Sequence, residues 1–403
     1  MKSVCSIKDL PPIVNPENLY DCEYTPGDSN DPHVEFIAFS GGGVLGVSFA
    51  GVAKQLELHN IRKNVKYWLG SSAGAICASF CALNIPADTM IEVIQSTDIG
   101  VFFGDISQYL QPSDSLMNTV LTHQNDIIEL ITKLGIHSGE KFTCWFQEQL
   151  KTLGLCEDLT FSDLYELTGN HLIITTTSIN TYETLYLSRS SYPYMRIVDA
   201  VHSSIIVPFL IQPLIMKDRT SPSGKRVLND GGCMDNLPLN ACDVISETGE
   251  IIAYNRRAIA FTLVSNGKWC PDHVEITNLF SYAFTFASVL HHCIHAMKSH
   301  QPYFWDRVVP IECFDNKPFD FQAKPEQIKQ LYMSGMANTH KFLEKRERIL
   351  REKGPLPRNL FIPSYRLRYH GIEYVSDSMV DYTQIYQTNP ENFRKNSIVC
   401  LRK

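Results

Sequence analysis

Two uncharged stretches early in the chain each run from an apolar segment, through clustered glycines, into a helical pattern. The first reads Phe36-Ile37-Ala38-Phe39-Ser40 and continues as Gly41-Gly42-Gly43-Val44-Leu45-Gly46. The second reads Trp68-Leu69-Gly70-Ser71-Ser72-Ala73-Gly74 and runs on through small residues to Leu83. Hydropathy alone flags Phe36 to Ala53 and Trp68 to Ala87 as membrane spans. The Gly42/Gly46 and Gly70/Gly74 pairs even have the spacing of a membrane helix pair. Clustered glycines would break a lone helix, whereas strand–loop–helix units buried on both sides account for the missing charge. Such units specify an α/β fold, a three-layer sandwich with a mostly parallel central sheet. Sheets of this kind place their ligands at the strand ends.

Each unit suits one half of acyl transfer. A serine in Gly-x-Ser-x-Gly on a sharp strand-to-helix turn projects its hydroxyl clear of the backbone, which marks Ser72. The helix that follows would bring backbone N–H groups and the positive end of its dipole to the nucleophile. The triple glycine of the first unit can aim several N–H groups at one oxyanion. Nucleotide binding fits less well. A dinucleotide fold would place an acidic residue about 20 positions on, where Arg62-Lys63-Asn64-Val65-Lys66 stands. A P-loop would need Gly-Lys-Ser/Thr, but Val47 follows Gly46.

Far downstream lies Val227-Leu228-Asn229-Asp230-Gly231-Gly232. Gly-Gly-Gly-x-x-Gly, Gly-x-Ser-x-Gly and Asp-Gly-Gly, in that order, resemble the patatin-like phospholipase family. The stretches Ala200 to Phe209 and Asp235-Asn236-Leu237-Pro238-Leu239 resemble the family's segments before and after the aspartate. The resemblance covers about Val34 to Val244, with thinner likeness at Asp306 to Ile311 and around Gly335. It implies a serine hydrolase of lipid acyl esters, of phospholipase A type, without a cofactor or metal. On this reading Ser72 attacks the ester carbonyl and Asp230 takes and returns its proton. Gly41, Gly42, Gly43 and Ala73 line the oxyanion hole, and Gly46, Gly70, Gly74, Gly231 and Gly232 are motif glycines. Many members carry a cation just before the last glycine of the loop; here Leu45 stands there. A lysophospholipid or neutral-lipid esterase is an alternative, and a silent lipid-binding or scaffolding protein is another from a different class.

Histidine is the rival base. Of 13 histidines, His202 lies near the aspartate segment, where a packing role on a helix is favoured. His291 and His295 share a helix face without a suitably spaced carboxylate, so a metal site is not expected. A partly buried aspartate would have its pKa raised from about 3.9. It would still work at mildly acidic pH, where a histidine base of pKa about 6.5 is protonated.

A net charge of −7 argues against nucleic acid as a partner and against anionic membranes as purely electrostatic ones. The resemblance implies a lipid substrate and transient contact with a membrane or lipid aggregate. The 12 scattered cysteines point to a reducing compartment, and Cys77 and Cys81 read as small core residues. The start Met-Lys-Ser-Val-Cys-Ser has no apolar core of a secretory signal. An intracellular protein, soluble or peripherally membrane-associated, is expected.

Three regions are anticipated: an irregular extension over 1–33, a catalytic domain over 34–244, and a part over 245–403 completing or flanking it. Strands are expected at Val34 to Ser40, Tyr67 to Gly70, His171 to Ile179, Glu183 to Ser188, Phe209 to Met216 and Ile259 to Val264. Helices are expected at Val47 to Leu58, Gly139 to Leu153, Arg196 to Ile206, Asn278 to Met297 and Lys324 to Lys353, the last mostly solvated. Gly51 marks close packing of its helix on the sheet. Pro86 to Gly139 reads as broken helix, either a cap over the acyl site or plain scaffold, with Phe102 and Phe103 as core aromatics.

Overall fold

The computed structural model describes residues 34–103, 124–218, 223–245, 251–255, 257–268, 275–276, 279–301, 304–320 and 323–353. The expected N-terminal extension and much of the expected cap, 104–123, lie outside these. The described strands are β1 (Phe36–Phe39), β2 (Tyr67–Ser71), β3 (Gly135–His137), β4 (His171–Ser178), β5 (Glu183–Ser188) and β6 (Phe209–Ile211). They continue as β7 (Leu214–Lys217), β8 (Lys225–Asp230), β9 (Val244–Ile245), β10 (Ile251–Ala253), β11 (Ala258–Val264) and β12 (Val308–Glu312). The two windows that mimic membrane spans each divide into a strand and a helix, α1 (Ser48–Leu58) and α2 (Ala73–Ala82). Among the described residues no helix is long and apolar enough to cross a membrane.

The main sheet runs β12-β11-β1-β2-β4-β8-β7, with β5 also paired to β4. Neighbours from β12 to β4 are parallel, whereas β4–β8, β8–β7 and β4–β5 are antiparallel. The result is a mixed α/β sheet with a parallel centre. The parallel strands are buried on both faces, hence their unbroken apolar runs Phe-Ile-Ala-Phe and Ala-Ile-Ala-Phe. Edge strand β7 alternates buried and exposed residues. Ile37, Phe39 and Trp68 join α1 and α2 in the larger core, while Phe36, Ala38 and Leu69 meet Leu237, Leu239 and Phe304 in the smaller one. Since β11 lies between β1 and β12, residues beyond 245 complete this sheet.

Three expectations are revised. Phe209 to Met216 is two strands, because Pro213 supplies no N–H for a continuous ladder. β6 pairs in parallel with β3, while β7 joins the main sheet. Gly51 packs on the helix Pro325–Lys353, not on the sheet. A Cβ there would come under 3.0 Å from the Tyr332 carbonyl, and one at Gly335 under 3.0 Å from that of Ser48. That helix is therefore far from mostly solvated: Leu331, Ser334, Ala337, Asn338 and Thr339 are buried.

The two helices cross backbone to backbone, so Gly335→Ala tests the crossing. Helix propensity alone would favour alanine by about 1 kcal/mol, but forcing the helices apart costs about 1–3 kcal/mol. A lower melting temperature is expected, and one unchanged or raised would show a looser crossing.

Candidate active site

β2 delivers its last residue, Ser71, to the edge of β4, opposite Thr175. β8 arrives from the other direction and sets Asp230 opposite Thr176. β5 covers the same length of β4, so β2 and β8 share its other edge end to end. Residues 158 apart in sequence thus become neighbours: Ser72 Oγ donates a hydrogen bond to Asp230 Oδ2 at 2.7 Å. Both side chains are nearly buried, at 9% and 7% exposure.

Ser72 turns the chain from β2 into α2 with φ 52° and ψ −124°, a sparsely populated conformation for a residue with a side chain. Gly70 and Gly74 make room for it. A Cβ on Gly70 would strike the Gly74 backbone, and one on Gly74 the carbonyls of Phe39 and Ser40. Gly46 stands against Ala73, and Gly231 against the Ser71 hydroxyl and the Thr175 carbonyl.

Ser204, not singled out from the sequence, closes the turn from behind. Its hydroxyl accepts from the Ser72 N–H at 2.8 Å and donates to the Thr175 carbonyl at 2.6 Å. Its carbonyl accepts from the Gly231 N–H at 3.2 Å, and the Ile206 carbonyl accepts from the Asp230 N–H at 2.8 Å. The helix Ile197–Ser204 therefore fixes both strand ends. The visible trace in the sequence was only the pair of small hydroxyl residues, Ser203-Ser204, before Ile205.

The glycine loop leaves β1 beside this pair. Val44 N–H donates to the Pro318 carbonyl at 2.9 Å, and Leu45 N–H to the Gly42 carbonyl at 3.2 Å. Leu45, which stands just before the last glycine of the loop, is buried in the larger core. Gly41 N–H donates to the Asn236 carbonyl at 3.0 Å and is not free to bind an oxyanion, which removes Gly41 from the expected donors. The N–H groups of Gly42, Gly43 and Ala73 have no backbone acceptor among the described residues. Ala73 opens α2, so its N–H lies at the positive end of a helix dipole.

Burial pushes the Asp230 carboxyl up to about 6, against the opposing hydrogen bonds from Ser72 and the Gly232 N–H, the latter at 2.7 Å. This lies close to the ordinary histidine value, so a pH profile alone does not separate an aspartate base from a histidine one. Geometry does better. Among the described residues neither Ser72 nor Asp230 hydrogen-bonds to a histidine. His202 is buried against Gly139, and burial pushes its pKa down to about 4. His295 shares a 3.1 Å hydrogen bond with Thr262 and packs edge-on to Phe304. Phe102 packs edge-on to Phe142.

The patatin-like phospholipase family model matches residues 37–243, from β1 to the end of the segment after Asp230. The chain belongs to the patatin-like phospholipase family. Among its relatives, the uncharacterized protein YqhO of Bacillus subtilis is 27% identical over 210 residues, 50% of this chain and 64% of that one. The uncharacterized protein R571 of Acanthamoeba polyphaga mimivirus is 25% identical over 208 residues, 51% and 62% of the two chains. The chain thus spans a little under two thirds of the length of these relatives. Among solved structures, VipD from Legionella pneumophila is 18% identical with a TM-score of 0.48, covering 78% of this chain and 67% of that one.

The raised pKa carries a stability consequence for this patatin-like site. Between pH 3.8 and about 6 the unfolded Asp230 is ionised while the folded one holds its proton, so stability falls as pH rises through that window and stays lower above it. The ionised carboxylate costs on the order of 2–3 kcal/mol. Asp230→Asn is expected to melt above wild type at pH 8 and level with it at pH 4. Equal melting at both values would mean that the carboxylate is solvated.

Proposed function

We propose that the protein is a serine hydrolase of lipid acyl esters that works through a Ser72–Asp230 dyad and a glycine-loop oxyanion hole. The observation that carries this reading is the 2.7 Å hydrogen bond from Ser72 Oγ to Asp230 Oδ2. Membership of the patatin-like phospholipase family supports an ester-bonded lipid as the substrate.

Ser72 Oγ attacks the ester carbonyl carbon while Asp230 takes the hydroxyl proton. The carbonyl oxygen becomes an oxyanion, held by N–H groups of Gly42, Gly43 and Ala73. Collapse expels the alcohol, which receives the proton from Asp230, and leaves the acyl group on Ser72. Water then enters with Asp230 again as base, and Ser72 departs with its proton restored. An ordinary aspartate is a weak base for this work; a pKa of about 6 keeps Asp230 mostly ionised at neutral pH yet better matched to a hydroxyl. The activity is of phospholipase A type, and the substrate comes from a lipid aggregate that the protein touches transiently.

The purified protein offered a diacyl phospholipid, a lysophospholipid and a triacylglycerol in mixed micelles is expected to release fatty acid fastest from the phospholipid. Ser72→Ala should abolish release. The rate should also climb as the substrate passes from monomers to aggregates. A flat rate through that transition would favour a soluble-ester esterase, and lipid binding without Ser72-dependent release would favour a non-catalytic lipid binder.

A further inference from the structure

The glycine loop and the Asp230 segment meet at Asn236, a residue that nothing above places in the chemistry. It engages both backbone groups of Gly41. Gly41 N–H donates to the Asn236 carbonyl at 3.0 Å, and Asn236 Nδ2 donates to the Gly41 carbonyl at 3.2 Å. Its amide oxygen lodges between two glycines, since a Cβ on either Gly41 or Gly232 would come under 3.0 Å from Oδ1. Gly232 is also the residue whose N–H holds Asp230 Oδ1. One side chain therefore touches the loop on one side and the carboxylate's own anchor on the other.

We propose that Asn236 is the positioning residue that aims the Gly42 N–H at the oxyanion, an inference that rests on the hydrolase reading above. The reason lies in peptide geometry. The Gly41 carbonyl and the Gly42 N–H belong to a single planar unit and point in opposite directions when the bond is trans, as it is here. Holding the carbonyl therefore fixes the N–H. Glycines on either side supply no side chain to do this, and their free rotation would otherwise let the peptide plane turn.

Asn236 is itself held from both flanks. The buried Asp235 carboxylate accepts from the Tyr186 hydroxyl at 2.6 Å and from the Lys298 ammonium. Lys298 also donates to the Leu237 carbonyl at 3.2 Å. The clamp thus stands on a fixed base, and Asn236 transmits the position of the Asp230 segment to the loop.

The test uses the full chain, a short-chain p-nitrophenyl ester and a trifluoromethyl ketone that forms a tetrahedral adduct with a serine. Asn236→Ala retains its backbone carbonyl bond to Gly41 and loses the amide donor. Misplacing a donor by about 1 Å costs on the order of 10²-fold. kcat is expected to fall about 10²-fold with KM unchanged, and the ketone's inhibition constant to rise by a similar factor. A merely structural role would lower the melting temperature without that matched loss. Should Asn236→Ala fail to fold, Asn236→Asp keeps the shape and replaces the donor with an acceptor, and the same matched loss is expected at the plateau of its pH profile. If wild type turns over and the folded variants match it in kcat and ketone affinity, the proposal is overturned alone. If wild type shows no Ser72-dependent turnover of any ester, the hydrolase reading falls and takes this inference with it.

Discussion

Two strands that end head to head on one edge of β4 are the constraint on which the rest depends. Thr175 faces Ser71 and Thr176 faces Asp230, so the backbone ladder itself puts the serine turn beside the carboxylate. No loop has to find the right conformation. Side chains alternate faces along a strand, so a slip of β8 by one residue would turn Asp230 to the other side of the sheet. The helix Ile197–Ser204 guards against such a slip, because Ser204 bonds to the Ser72 turn and to Gly231 at once. Thr176 adds a further tie, its hydroxyl bridging the carbonyls of Ser203 and Asn229.

The arrangement stores unfavourable terms where the chemistry is proposed to occur. Ser72 sits at a positive φ, and Asp230 is buried with, among the described residues, a serine hydroxyl and one backbone N–H as its hydrogen-bond partners. Both are tolerated because the surroundings over-determine them: two glycines at the turn, a buried hydroxyl behind it, and a parallel sheet below. Polar groups farther out are treated differently. Arg307 is fully buried but paired to Asp243, and Arg226 to Asp218. These two buried cations are neutralised by partners, whereas among the described residues the carboxylate beside the serine has no cation as a hydrogen-bond partner.

Much of this was legible in the sequence, for identifiable reasons. Strand β5 was delimited to the residue, and β1, β2, α1 and α2 nearly so, because continuous apolar runs and glycine turns are local signals. Ser72 and Asp230 stood out through the motifs around them. What is not legible in the sequence depends mostly on long-range backbone contacts. A glycine in a helix, such as Gly51, reports a close neighbour without saying whether it is a sheet or another helix. Nothing in the triple glycine reveals that the Asn236 carbonyl already occupies the Gly41 N–H. Ser204 and Asn236 act chiefly by holding main-chain groups, a role that leaves almost no trace in side-chain periodicity. The split between β6 and β7 is marked in the sequence by Pro213 alone, within a longer apolar run.

The central claim is that Asp230 itself, not a histidine, takes the proton from Ser72. The most direct measurement is the rate at which a fluorophosphonate modifies Ser72, with the adduct located by peptide mass spectrometry, in wild type, Asp230→Asn and His202→Ala at pH 8. The asparagine preserves the shape but removes the base. The account predicts that Ser72 is modified at near the wild-type rate in His202→Ala and at or near the background rate in Asp230→Asn. Wild-type modification in folded Asp230→Asn, with loss in His202→Ala, would contradict it.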